Sequence, residues 1–247
     1  MEILPVPVDD NGLDITSGIQ NYPDARFALI TPAHQSPLGV ALSLARRHQI
    51  LEWADRSQAW IIEDDYDSEF RYHGKPLPAL KSLDAPQRVI YAGTFSKALF
   101  PALRCAWLVV PVKQIAQFRH QASLAPCAVP VLWQNTLADF LREGHFWRHL
   151  KKMRQHYAQR RQWIEQALTQ QGFQVVPQKG GIQMGIRMIG DDIAHARKAN
   201  AAGLAVQALS DWRIRSSGEG GLLLSFTNIV NEGMARQVAQ QLRKALS

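Results

Sequence analysis

Lys97 closes the run Tyr91-Ala92-Gly93-Thr94-Phe95-Ser96-Lys97, a β-like stretch ending in small and hydroxyl residues, and Arg104 follows seven positions later. Upstream, Trp60-Ile61-Ile62-Glu63-Asp64-Asp65-Tyr66-Asp67 is a second apolar run, ending in carboxylates and a tyrosine. A lysine amine condenses with an aldehyde, a carboxylate pairs with a protonated ring nitrogen, and an arginine fork with nearby hydroxyls suits a phosphate. That set, at the ends of two strands, is what holding pyridoxal phosphate (PLP) requires.

The elements that must position these residues alternate through the first half. Arg26 to Ile30 reads as a strand broken by Thr31-Pro32, and Pro37-Leu38-Gly39 precedes a helical stretch from about Val40 to Arg56. Strands follow at Trp60 to Glu63, Val89 to Ala92 and Ala106 to Val110, the last stopped by Pro111. Near-continuous apolar strands separated by helices or long connections imply an α/β architecture, a parallel or mixed sheet covered on both faces. Ligands of such sheets gather beyond the carboxyl ends of the strands, where Asp64 and Lys97 both fall.

The second half differs. A helical region from about Val112 to Gly144 is interrupted near Pro126 and Pro130, and a long basic helix continues to about Gln171. On that helix Trp147, Leu150, Met153, Tyr157, Ile164 and Leu168 recur at helical intervals, which leaves Arg148, Lys151, Lys152, Arg154, Arg160 and Arg161 largely on solvated faces. Strands at Phe173 to Val176 and Ile182 to Met188 flank Gly180-Gly181. A helix from Asp192 to Leu209, short strands at Arg213 to Arg215 and Leu222 to Phe226, and a last helix to Leu246 complete an α+β unit. The expected division is 1–143 and 144–247.

The 247 residues are 46% hydrophobic and 20% charged, enough to bury a core. No run reaches the 18 or so apolar residues of a membrane span, and the N-terminus lacks a signal-peptide pattern, so a cytoplasmic location is expected. Cys105 and Cys127 make no metal-type spacing, and no metal site is expected. The net charge of +7 is unaccompanied by any nucleic-acid-binding signature, so DNA binding by these residues alone would be weak and sequence-blind.

Ile62 to Tyr72, together with Gly93-Thr94-Phe95-Ser96-Lys97 and Pro101-Ala102-Leu103-Arg104, resembles the aminotransferase-like domain of MocR-type regulators. These proteins of the GntR superfamily fuse a winged helix-turn-helix to a fold-type I PLP domain. Supporting stretches are Thr31 to Gly39 and His149 to Arg154. The resemblance implies part of a large PLP domain followed by a C-terminal small domain. It also implies a homodimer in the full-length form, and DNA contact only through an N-terminal domain that precedes this region in the family.

The resemblance further implies that Lys97 forms the Schiff base and Asp64 faces the pyridinium nitrogen. Tyr66, two residues on in an extended segment and so on the same side, would contact the phenolic oxygen. Thr94, Ser96 and Arg104 would reach the phosphate, and His34 lies in the segment that approaches the ring from below. Two departures stand out. Ser36-Pro37-Leu38-Gly39 replaces the Asn-Pro-Thr-Gly of related aminotransferases, and Leu222 to Phe226 contains no arginine to grip a substrate carboxylate. Arg213 and Arg215 could take that role or lie on the surface.

The expected function is therefore a PLP-binding effector domain that senses a vitamer or amino compound. A working aminotransferase acting on a small amino acid and an inactive remnant remain as alternatives. Because the stretch from Met1 matches the middle of the family's PLP domain, a truncated product or a fragment is expected, with weak PLP binding on its own.

Overall fold

Apolar runs bounded by proline, glycine or carboxylates set the strands of the first unit. The computed structural model describes residues 2–124, 129–214 and 218–247. It divides into one unit of Met1–Ser36, Val40–Glu69 and Lys75–Leu150, and another of Pro37–Gly39, Phe70–Gly74 and Lys151–Ser247.

In the first unit, β1 (Val8–Asp9) and β2 (Gly12–Leu13) form a small antiparallel hairpin. Gly12 sits there at φ 92°, with Leu42 Cα only 2.9 Å from where a Cβ would lie. Helix α1 (Ile15–Asn21) follows, capped by Asp14, whose carboxylate accepts the Ser17 N–H at 3.2 Å. Strand β3 (Phe27–Ile30) leads to α2 (Leu44–Arg56). That helix starts four residues later than its sequence pattern suggests, because Ser43 is the N-cap. The residues before it are held by loop bonds instead, Gln35 N–H to Val40 O and Leu42 N–H to Pro32 O.

Strands β4 (Trp60–Asp65), β5 (Val89–Thr94) and β6 (Ala106–Val109) complete a sheet of order β3-β4-β5-β6, parallel except for the antiparallel β6. Then come α3 (Ile115–Leu124), α4 (Val131–Arg142) starting after Pro130, and α5 (His145–Gln170). The expected break near Pro126 and the cysteine Cys127 lie outside the described residues.

Strand alternation sorts the sheet into two faces. Ile30, Ile61 and Val89 point to one side and bury against Ile15, Ile50 and Leu80. The register puts Leu29, Ile62, Asp64, Ala92, Thr94 and Leu108 on the other. There, Leu29 is 70% and Leu108 54% exposed.

Glu63 is on the buried side, 1% exposed. Its oxygens accept the Leu80 and Lys81 N–H groups at 2.7 and 2.8 Å, capping the short 3-10 turn Leu80–Leu83. Burial pushes its pKa up, partly offset by those bonds and by the Arg47 charge. Glu63→Ala would strand one buried and one half-buried donor, so we expect a loss of roughly 3 kcal/mol in urea unfolding, with Glu63→Gln losing about half.

The second unit is built on an antiparallel sheet of order β7-β8-β10-β9. Its elements are β7 (Gln174–Val175), β8 (Gln183–Met188), α6 (Asp192–Ala201), β9 (Val206–Ala208), β10 (Gly220–Ser225) and α7 (Glu232–Leu246). Ile164 and Leu168 of α5 pack with Met184, Ile186, Leu222 and Phe226 in one apolar core.

Three expectations are corrected. Helix α6 ends at Ala201 rather than Leu209: Gly203 takes φ 87°, and the Asn200 amide bonds both the N–H and C=O of Val206, turning the chain into β9. Arg213 is in no strand. It follows the 3-10 turn Leu209–Trp212, and its guanidinium donates to Glu219 O. Arg215 lies outside the described residues. Arg161 is not solvated but 5% exposed; it donates to Gly180 O and Gln178 O at 3.1 and 2.6 Å and lies over the Tyr72 ring. Among the described residues no helix is long and apolar enough to cross a membrane, and no group of three or more histidines, cysteines or acids could hold a metal ion.

Candidate functional site

The carboxylates at the end of β4 are neighbours in sequence but differ in occupation. Glu63 caps the 3-10 turn. Asp65 accepts from the Tyr91 hydroxyl at 2.8 Å and from the Ser68 hydroxyl at 2.7 Å. Asp67, 2% exposed, faces His34 Nδ1 at 3.2 Å. Asp64 alone makes no hydrogen bond or ion pair among the described residues, and it is exposed. Partial burial, then the charges of Asp65 and Asp67, push its pKa up. A carboxylate crowded by two others and lacking a counter-charge is suited to a cationic partner.

The next strand ends in a pinned turn. Thr94 Oγ1 accepts the Ser96 N–H at 3.1 Å, and Phe95 N–H bonds Cys105 O at 3.0 Å. Phe95 packs on Trp107 and Phe146, with ring centroids 4.5 and 5.6 Å apart. Gly93 permits this: a Cβ there would meet the Trp107 ring at 2.3 Å. Ala98, 2% exposed, offers its carbonyl to His149 Nε2 at 2.9 Å. Lys97 thus sits between two anchored residues, while its own side chain is exposed and forms no ion pair among the described residues.

Arg104 ends the 3-10 turn Pro101–Leu103 in the left-handed region, at φ 49° and ψ 36°. A non-glycine residue there carries a conformational cost of about 1 kcal/mol. It precedes Cys105, whose carbonyl bonds Phe95, so the ladder end sets Arg104 across from the Thr94–Ser96 turn. Its exposed guanidinium also has no partner among the described residues.

Tyr66 is the best-held member. Its hydroxyl donates to His34 O at 3.2 Å and lies 3.1 Å from His34 Nδ1, with the Ser36 hydroxyl also bonded to it. Burial, then the Asp67 charge, pushes the phenol's pKa far up, so it keeps its proton.

The structure therefore gathers Asp64, Tyr66 and His34 at the end of β4, and Thr94, Ser96, Lys97 and Arg104 at the ends of the adjacent β5 and β6. Arg213 belongs to the other unit and is engaged with Glu219 O. Asp67 and Ser36 were not singled out from the sequence. The signals available were Asp67's place in the carboxylate run, three residues beyond Asp64, and Ser36's place at the head of Ser36-Pro37-Leu38-Gly39. These residues could hold PLP: the unpaired Asp64 carboxylate would suit a protonated ring nitrogen, the protonated Tyr66 phenol a phenolic oxygen, the Lys97 amine an aldehyde, and the Arg104 cation with the Thr94 and Ser96 hydroxyls a phosphate.

The fold and this site define a PLP-dependent transferase scaffold, and comparison with known proteins agrees. The family model Aminotransferase class I and II matches residues 1–214. The chain belongs to that family. Among curated proteins it is 40% identical over 171 residues to the uncharacterized HTH-type transcriptional regulator YdeL of Bacillus subtilis, covering 69% of this chain and 36% of that protein. It is 42% identical over 159 residues to the probable rhizopine catabolism regulatory protein MocR of Rhizobium meliloti, covering 64% and 32%. To the HTH-type pyridoxine biosynthesis transcriptional regulator PdxR of Corynebacterium glutamicum it is 31% identical over 247 residues, covering 100% and 53%. The chain thus spans between about a third and a half of these relatives. Among solved structures, a Pyrococcus horikoshii kynurenine aminotransferase in complex with PMP superposes with a TM-score of 0.87 at 25% identity, covering 98% of this chain and 63% of that one. An alpha-aminoadipate aminotransferase from Thermus thermophilus, complexed with N-(5'-phosphopyridoxyl)-L-leucine, gives 0.87 at 25%, covering 99% and 65%. PLP is the cofactor this scaffold implies.

Proposed function

We propose that the chain is the PLP-binding part of an effector domain in a MocR-type transcriptional regulator. The observation that carries the cofactor reading is the sorting of charges at the strand ends. Asp64, Lys97 and Arg104 lack partners among the described residues, whereas Glu63, Asp65 and Asp67 are engaged. Bound PLP supplies an electron sink to the carbon beside an amino group. Lys97 supplies the amine that attaches the cofactor, and Asp64 holds a proton on the ring nitrogen. Tyr66 donates to the phenolic oxygen. Thr94, Ser96 and Arg104 orient the phosphate, the arginine through a charge-assisted fork.

Three features support a sensing role over turnover. Strand β10 presents Leu222, Leu223 and Leu224 where an active transaminase has its carboxylate-gripping arginine. Arg213 spends its guanidinium on Glu219 O. Curated proteins 40% and 31% identical to the chain are named as HTH-type regulators. In the full-length protein we place a homodimer in the cytoplasm, reading DNA through an N-terminal winged helix domain and binding a small amino compound at the cofactor.

The test is to add PLP, reduce one portion with borohydride and map its modified lysine by mass spectrometry, and supply a separate, unreduced portion with L-leucine and 2-oxoglutarate. We expect a phosphopyridoxyl group on Lys97 and no sustained glutamate production. Steady glutamate formation would assign the site to an aminotransferase.

A further inference from the structure

His34 lies beside Tyr66, and its ring contacts are specific. Nδ1 is 3.1 Å from the Tyr66 hydroxyl and 3.2 Å from Asp67 Oδ2. The imidazole and the Asp67 carboxylate are 11% and 2% exposed. Asp67 Oδ2 and His34 Nε2 are both buried without an aligned hydrogen bond among the described residues. A buried carboxylate is stable only beside a cation or a donor. Were the single ring proton on Nε2, that N–H would be buried unpaired, and the Nδ1 lone pair would face the Asp67 carboxylate and the phenol oxygen. A proton on Nδ1 replaces that repulsion with attraction and leaves at Nε2 only an unprotonated acceptor, the smaller of the two costs, which assigns the tautomer from its surroundings.

That assignment fixes the tyrosine. With Nδ1–H directed at the phenol oxygen, the Tyr66 hydroxyl cannot donate back to the ring and must send its own proton elsewhere. In this chain it goes to the His34 carbonyl at 3.2 Å. A phenolic oxygen of PLP would be a better acceptor, being charged. The loop that carries His34 has Ser36 in place of the asparagine of Asn-Pro-Thr-Gly enzymes, and Ser36 is likewise bonded to the Tyr66 hydroxyl.

We propose that His34, anchored by Asp67, is a positioning residue that acts on the cofactor through Tyr66, forcing the phenol to be a donor toward the PLP phenolic oxygen. This rests on the PLP reading above. The charged groups facing the phenol are the carboxylates of Asp64, Asp65 and Asp67; each makes its proton harder to lose and none competes as a donor.

The experiment is a pH titration of the visible band of PLP bound at Lys97, in the full chain and four variants. A donor on the phenolic oxygen disperses its negative charge and loosens its hold on the proton of the lysine-linked nitrogen. Losing that donor therefore moves the midpoint to higher pH. His34→Ala should raise it by about half to one pH unit, the scale of one hydrogen bond. Tyr66→Phe should raise it at least as far, and the double variant no further, because both act along one path. His34→Asn, whose amide N–H can stand near Nδ1, should restore the original midpoint.

An unchanged midpoint in His34→Ala, or shifts that add in the double variant, would overturn the proposal. Should His34→Ala unfold because Asp67 is left buried and unpaired, His34→Ala with Asp67→Asn removes the orphan charge and must show the same upward shift. If the unaltered chain traps no phosphopyridoxyl group on Lys97 under borohydride, the PLP reading itself has failed, and this inference with it. That result is distinct from normal trapping with an unmoved midpoint.

Discussion

Lys97→Ala should abolish the saturable visible absorbance that PLP acquires on this chain, and with it the borohydride-trapped product. The expected loss is complete, since the covalent link is made by one amine. Lys97→Arg should fail to restore it although it keeps the charge: a guanidinium stays protonated at any accessible pH and cannot condense with an aldehyde. Exposed lysines react slowly with excess PLP and without saturating, so the decisive measurement is a titration that follows the saturable part of the band, with the trapped lysine mapped at each step. Lys81 is already paired with Asp84 at 2.8 Å, and among the described residues no other lysine stands at the end of a sheet strand between two anchored residues. A saturable, visible adduct surviving in Lys97→Ala would displace Lys97 from the site.

The features that single out Lys97 in the sequence are local. Apolar runs such as Trp60 to Ile62 and Val89 to Ala92 are fully committed strands in any context that buries them. What stops them, a carboxylate burst and a Gly-Thr-Phe-Ser-Lys turn, is also written in adjacent residues. The parallel pairing of β3, β4 and β5 follows from the long connections between them. Legible too are the strand ends at which the candidate residues stand. The reversal at β6 was less so, because the segment from Ser96 to Cys105 gives no sign whether it crosses over or turns back.

Other features are set by partners distant in sequence. Arg161 belongs to a basic helix whose periodicity puts it outside, yet two carbonyls at Gln178 and Gly180 draw it into the interior. Its buried charge is offset by hydrogen bonds that no helical pattern encodes. The early end of α6 depends on the Asn200 side chain imitating backbone pairing to Val206, and the sequence window from Asp192 to Leu209 reads as helix without it. Asp67 and His34 are more than thirty residues apart, so only the fold makes them a pair. The separate duties of Glu63, Asp64 and Asp65 are equally invisible in a run of three acids. Strand alternation sets Asp64 on the other side from Glu63 and Asp65, but the partners that occupy those two, Leu80 and Lys81 for one and Tyr91 and Ser68 for the other, are not written in the run.

That division of duties gives Asp64 and Asp65 opposite expected phenotypes. Asp64 carries a pKa above the ordinary carboxylate value, from burial and from the charges of Asp65 and Asp67. A carboxyl that holds its proton more tightly in the fold than in the unfolded chain favours folding at pH below its ordinary value. That contribution is lost as pH rises through the folded value, so at neutral pH the ionised Asp64 opposes folding. The opposition is mild, because the group is exposed and water screens it. Asp64→Asn should therefore leave the urea midpoint at pH 7 unchanged or slightly higher. It should still weaken PLP binding about tenfold to a hundredfold, since a neutral amide forfeits a charge-assisted bond to the protonated ring nitrogen. Asp65→Asn should do the reverse: it weakens the bonds from the Tyr91 and Ser68 hydroxyls, lowers the urea midpoint, and affects PLP only through the loosened strand end. Unfolding and PLP titration of the two variants side by side decide the matter. If Asp65→Asn lost more cofactor affinity than Asp64→Asn at equal stability, the ring nitrogen would belong to Asp65, and the unpaired state of Asp64 would need another ligand to explain it.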